Sequence, residues 1–194
     1  MSNQPKILSE ESLPLSEAKW VTLKKITWQD DKGVQRFWES AQRTTRKATG
    51  IDAVAIFALI RSKTNAFPLS TIIIEQYRPP VGKFVVGLMD ENETPEKAAL
   101  RELHEETGYI GEEVVDVSPM LATDPGMTNS IMKLVSVAVT CKDQLETPEQ
   151  KLDDGESITL RIVELSKLNQ ILKVDAKLAM FATAYDLGRN PKFQ

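Results

Sequence analysis

Seven residues of fixed type stand at fixed intervals near the middle of this chain: Gly87, Glu93, Arg101, Glu102, Glu105, Glu106 and Gly108, within GLMDENETPEKAALRELHEETGY. With each type at roughly 7% abundance, a random window matches on the order of once in 10^8 trials, so chance does not explain the pattern. The same stretch dictates a helix. Thr94 is placed to cap it, Pro95 fits the first position because its missing N–H is not needed there, and Glu96 complements the positive end of the dipole. No breaker interrupts Ala98 to Thr107; Leu100, Leu103 and Thr107 share one side, and Gly108 is suited to the stop. Glu102, Glu105 and Glu106 are then related by i+3 and i+4, which puts their carboxylates on one strip about a turn long.

Neighbouring anions repel, so the strip is either screened by water or gathered by a cation. A solvated face is the usual fate of clustered glutamates. It does not explain two glycines and an arginine in register with them. Oxygen-only ligands select Mg2+ or Mn2+ over zinc, and magnesium is commonly shared between a few carboxylates and substrate phosphates. The expected substrate carries phosphates.

The rest of the composition removes other classes. A chain of 194 residues with 41% hydrophobic and 27% charged residues can bury its own core. No apolar run approaches the roughly 20 residues of a membrane span, and MSNQPKILSEESLP lacks the apolar stretch of a signal peptide, so a cytoplasmic or nuclear protein without a membrane partner is expected. A net charge of -4 gives no general attraction to nucleic acid, and the basic run RTTRK at 43–47 is local. One cysteine, Cys141, excludes an intrachain disulfide and reads as a buried structural thiol; one histidine, His104, excludes a histidine triad or multi-histidine metal site and reads as a helix-surface side chain.

Periodicity predicts a strand-rich chain with two helical regions. WVTLKKITWQD and DKGVQRFWESAQRTT alternate around the turn signal at Asp30–Gly33 and predict an N-terminal hairpin. AVAIFALIRS and STIIIEQYR are β-branched runs suited to the buried centre of a sheet. EEVVDVSPML, SIMKLVSVAVTC and SITLRIVEL are further strand candidates, and 166–187 has a helical apolar face with Gly188 as its stop.

The motif resembles the signature of the Nudix hydrolases at every defining position except the last, where Tyr109 replaces an aliphatic residue. The resemblance implies an α/β/α sandwich with a mixed sheet, of the α/β (α+β) class, at 48–194, preceded at 1–47 by an antiparallel β arm. KWVTLKKITWQDDKG, FWESAQRTTRK, QYRPP at 76–80, DPGMTNS at 124–130 and DDGE at 153–156 are similar to the eukaryotic ADP-sugar (ADP-ribose) pyrophosphatases over most of the chain. That likeness implies hydrolysis of ADP-ribose or a related ADP-sugar to AMP and a sugar phosphate, with Mg2+ (or Mn2+) as cofactor, by a homodimer whose N-terminal arms are swapped. It assigns metal binding to Glu102, Glu105, Glu106 and the Val86 carbonyl, and catalysis to Glu156, Glu105 and Arg101. Arg101 would grip a carboxylate bidentately, and Glu93 would be structural. Substrate contacts fall to Trp20, Trp38, Glu39, Arg43, Arg78, Asp124 and Met127, the two tryptophans sandwiching the adenine. The competing fate of Trp20 and Trp38 is burial in the sheet; Trp28 matches no role and is expected to be buried.

One departure stands out. The related enzymes carry a short segment resembling E-x-P-A before the motif's first glycine; here RPPVGKFVVGLMDENE lacks about four such residues between Val86 and Gly87, and Asn92 replaces a turn glycine. Shortening extended chain by ~13 Å implies a deformed approach to the phosphates. Two alternatives follow: a catalytically impaired relative that binds nucleotide or only dimerises, and a Nudix hydrolase acting on another nucleoside diphosphate derivative.

Overall fold

The computed structural model describes residues 5–46, 49–87, 94–152, 157–171 and 175–193. Two antiparallel strands, β1 (Val21–Gln29) and β2 (Gln35–Arg43), form the expected hairpin in full register from Val21↔Arg43 to Gln29↔Gln35. Its turn is held by Asp30, whose carboxylate accepts the Lys32 and Val34 amides, and by Gly33 at φ 77°, a conformation glycine adopts without strain.

The remaining strands are β3 (Ala53–Ser62), β4 (Ser70–Arg78), β5 (Lys83–Gly87), β6 (Glu113–Val117), β7 (Leu121–Ala122), β8 (Ile131–Cys141) and β9 (Ile158–Glu164). They make one seven-stranded mixed sheet, in which β3 and β8 run parallel and the other pairings are antiparallel. On one side β4 pairs briefly with β3 and then with β5, and along its other side it pairs with β9, so the sheet divides at β4. The apolar run EEVVDVSPML, read as a single strand candidate, is split into β6 and β7 around Ser118 and Pro119.

Helix α1 (Pro95–Thr107) covers one face and α2 (Ala176–Arg189) the other. Alternation along β3 decides this: Val54, Ile56, Ala58 and Ile60 join the cluster containing Ala98, Ala99 and Leu103 of α1, while Ala55 and Phe57 join Leu178 and Ala182 of α2. Residues of period two thus serve two helices from one strand, which is why the run is apolar throughout. Full burial of Leu103 contributes about 2 kcal/mol.

Two helix expectations are corrected. Pro95 is the first helical residue, but the Thr94 side chain makes no capping bond. The C-terminal region is not one helix ending at Gly188: a 3-10 segment covers Leu165–Ile171, α2 starts where Asp175 accepts the Leu178 amide at 2.7 Å, and it runs through Gly188 to a cap at Asn190. Asp175 is a good N-cap inside an apolar period that conceals it, and a lone glycine costs a helix only about 1 kcal/mol. No helix among the described residues is long and apolar enough to cross a membrane.

Candidate active site

The last turn of α1 is where the motif's chemistry gathers. Gly108 ends the helix at φ 72° and donates its amide to the His104 carbonyl at 2.8 Å. A Cβ there would lie 2.5 Å from the Glu149 carbonyl oxygen and 2.6 Å from the Pro148 side chain. Gly108→Ala should therefore combine backbone strain with overpacking and lower stability by about 3 kcal/mol, seen as a drop of roughly 6–12 °C in Tm.

Along the strip, Glu102 and Glu106 are 6% and 8% exposed, whereas the Glu105 side chain stands 41% exposed. The carboxylates therefore differ: two are turned into the protein and one is half in solvent. Arg101 Nη1 pairs with Glu102 and, at 2.6 Å, with Glu105. Among the described contacts Arg101 is shared between two carboxylates. A cation between two anions offsets part of the repulsion along the strip. No three acidic, histidine or cysteine side chains among the described residues are drawn together as a finished metal cage. The donor set nevertheless fits a hard divalent ion, because its ligands are carboxylate oxygens on one helix turn and magnesium completes its shell with water and phosphate rather than with protein alone.

Val86 lies in β5 opposite Glu75, and Gly87 opposite Ile74, so the motif's first glycine is the last residue of a paired strand. Glu93, Asn92 and Glu156 lie outside the described residues. His104 is half-buried rather than on the surface, with Nε2 3.4 Å from the Lys151 ammonium. Tyr109, the motif's odd residue, is buried and donates its hydroxyl to the Glu146 carbonyl. Burial, reinforced by the charges of Cys141 and Glu146, pushes its pKa up to about 12, so the hydroxyl stays a donor at neutral pH. Cys141 is half-buried, less enclosed than expected, and burial raises its pKa as well.

A second grouping forms where the arm meets the domain. A cavity of about 450 Å3 is lined by Trp20, Arg43, Asp124, Thr128 and Asn129 among others, a volume suited to a small ligand. The Ala41 amide donates to the Met127 carbonyl at 2.9 Å, and the Trp38 indole N–H donates to the Gly126 carbonyl at 3.1 Å, so β2 is stitched to the 124–128 loop. Asp124 shapes that loop by accepting the Met127 and Thr128 amides on its carbonyl. Trp38 reaches the loop without lining the cavity, and Glu39 and Arg78 are exposed outside it. The expected burial of Trp28, and the alternative burial of Trp20 and Trp38, are both overturned: Trp20 is 71% and Trp38 47% exposed, and Trp28 is exposed too. A two-stranded ribbon has no second layer to cover its rings.

The sequence reading missed a latch beside this cavity. Arg46 forks onto Asp52 through Nε at 3.1 and 3.2 Å and Nη2 at 2.6 Å, and also reaches the Asn129 carbonyl at 2.5 Å; Asp52 accepts the Ile131 amide at 2.8 Å. Arg46 thereby joins the end of the arm to the residue before β3 through an ion pair and to the loop before β8 through a hydrogen bond. Its only sequence trace was an arginine within a basic run and an aspartate before an apolar strand.

Residues 49–183 match the NUDIX domain model, a span that contains the helix, the split sheet and the acidic strip described above. The chain belongs to the Nudix hydrolase family. It is 41% identical to a Schizosaccharomyces pombe protein named as an uncharacterized Nudix hydrolase, with 95% of each chain covered. It is 37% identical to the ADP-sugar pyrophosphatase of Mus musculus over 88% of this chain and 77% of that one, and 39% identical to the ADP-ribose pyrophosphatase of Saccharomyces cerevisiae over 82% and 71%. The crystal structure of an ADP compounds hydrolase superposes with a TM-score of 0.58 at 20% identity, covering 96% and 95% of the two chains, and bears out the Nudix α/β/α fold. Nudix hydrolases work with a divalent metal ion, in keeping with the oxygen-only strip on α1.

Proposed function

We propose that this Nudix hydrolase is a Mg2+-dependent pyrophosphatase that cleaves ADP-ribose and related ADP-sugars with water to AMP and the sugar phosphate. The observation carrying this reading is the pair of buried carboxylates, Glu102 and Glu106, on the helix of a chain whose relatives are named for ADP-sugar and ADP-ribose hydrolysis. Glu102 and Glu106 hold the ion, with Glu105 and the Val86 carbonyl as further ligands. A cation bound there supplies charge neutralisation for the diphosphate and lowers the pKa of water. Arg101 pairs with Glu102 and Glu105 and holds their carboxylates in position. Glu156 takes the proton of the attacking water as general base.

Adenine binding is assigned to Trp20 and Trp38, with Glu39, Arg43, Arg78, Asp124 and Met127 as the remaining substrate contacts. Trp20→Ala should raise KM for ADP-ribose about tenfold or more and leave kcat little changed, since stacking is worth ~1–3 kcal/mol and holds substrate and transition state alike. An unaltered KM would move adenine elsewhere. The partner proposed is a second copy of this chain. Both faces of the hairpin carry uncovered apolar side chains, Ile26, Trp28 and Trp38 on one and Leu23 and Phe37 on the other, and an isolated two-stranded ribbon is marginal in water. Light scattering in solution should give a dimer, and Phe37→Asp should weaken it; a monomer for the unaltered chain would remove the swapped arm from the account.

A second reading, nucleotide binding without turnover, is favoured by one observation: Gly87 closes the β4–β5 ladder as its last paired residue instead of lying in a free loop. Product analysis with ADP-ribose and Mg2+ separates the two. AMP and ribose 5-phosphate formed at a rate abolished by Glu106→Gln support hydrolysis, whereas binding without AMP supports the second reading.

A further inference from the structure

The helix that carries the acidic strip is tied at its C-terminal end to the irregular segment 142–152 through a set of contacts that converge on the strip's own residues. A helix leaves its last carbonyls without intrahelical partners, and buried ones must be satisfied from outside. Here the Lys151 amide donates to the Glu105 carbonyl at 2.6 Å, and the Gln150 side-chain amide donates to the Glu106 carbonyl at 2.6 Å. The same Gln150 nitrogen lies 3.5 Å from the Ile158 carbonyl, at the first residue of β9. Tyr109 anchors the segment further back through Glu146, and Gly108 lets Pro148 and Glu149 approach the helix end without a Cβ in the way. Gln150 therefore touches the backbone of a strip residue and the start of β9 with one amide group.

We propose that Gln150 is a positioning residue for the acidic strip: its amide fixes the last helical turn, and with it the side-chain directions of Glu105 and Glu106, against β9. The inference rests on the reading of that strip as the divalent-cation site. A backbone carbonyl in a low-dielectric setting is an exacting partner, because a missing donor there leaves it unsatisfied. Partners one step removed from metal ligands typically carry tenfold to hundredfold effects on affinity.

The test uses the full chain and Mn2+ as the probe, with free Mn2+ followed by electron paramagnetic resonance and amide exchange followed by mass spectrometry. Gln150→Met keeps the length and packing of the side chain and removes both donors. It should weaken Mn2+ binding about tenfold and speed exchange at Lys151 and in the last turn of α1, with the far-ultraviolet circular dichroism unchanged. Glu149→Ala, one residue away on the same segment, should alter neither. Unchanged Mn2+ affinity in Gln150→Met, with the unaltered protein binding Mn2+ normally, would overturn the role of Gln150 alone. An unaltered protein that binds no Mn2+ would defeat the cation site, and this inference with it.

Discussion

Replacing Glu106 with glutamine is expected to lower kcat for ADP-ribose by about two to three orders of magnitude while Tm stays level or rises. The two halves of that result have one cause. Glu106 is almost fully buried on a strip it shares with Glu102 and Glu105, and a buried anion beside other anions is held at a cost in folding free energy. Glutamine has the same shape without the charge, so it relieves the repulsion and the desolvation penalty while removing an anionic ligand. Loss of a well-placed electrostatic group at a reacting centre generally costs about 10^2 to 10^3 in rate. Steady-state kinetics and a thermal melt on the same preparation check both halves. Equal loss of activity and stability would mean that Glu106 is a structural residue.

Arg46→Met is expected to lower stability by about 3 kcal/mol, or roughly 6–12 °C in Tm. The Asp52 side chain is 1% exposed and Arg46 28%, so removing the arginine strands a buried charge; the figure is placed at the low end of the range for broken buried pairs because Arg46 is partly solvated. The pH dependence follows from Asp52. Burial by itself would raise its pKa, but the hydrogen bonds from Arg46 and Ile131 and the charges of Arg46 and Arg43 outweigh burial and hold it below the ordinary carboxylate range. A carboxyl depressed in the folded state stabilises fully above its unfolded pKa of about 4, and that stabilisation is lost as the pH falls through the lower folded-state value. The unaltered protein should hold this contribution down to about pH 4 and lose it below, whereas in Arg46→Met, where burial is less opposed, that acid-side loss should shrink, so the stability gap between the two narrows as the pH falls. Urea melts from pH 3 to 7 read the difference. Superimposable profiles would show that the latch contributes nothing.

What the sequence made legible, and what it did not, follows from the range of each physical cause. β3, β4, β8 and β9 fall where β-branched periodicity puts them, and α1 begins at Pro95 and ends at Gly108, because those signals are local in the chain. The fold family was legible for the same reason: the motif's residues are close in sequence. The exposure of Trp28 and Trp38 was not, since an apolar residue in an alternating strand reads identically whether or not a second layer covers it. The splitting of the C-terminal region into a 3-10 segment and α2 was concealed because both pieces present apolar residues to the same Ala55–Phe57 face. The Arg46–Asp52 latch and the Gln150 contacts join residues whose pairing exists only after folding, so no local pattern announces them. Within the motif itself, equal spacing suggested three similar carboxylates, and only packing against the sheet separates buried Glu102 and Glu106 from the more open Glu105.

The proposed activity turns on a divalent ion held by the acidic strip of α1 against a pyrophosphate linkage. Anomalous diffraction from crystals grown with Mn2+ and a non-hydrolysable ADP-ribose analogue tests it directly. The predicted result is a manganese peak at bonding distance from the carboxylates of Glu102 and Glu106 and from a phosphate oxygen of the analogue. An analogue bound in the crystal with no manganese at either carboxylate would contradict it.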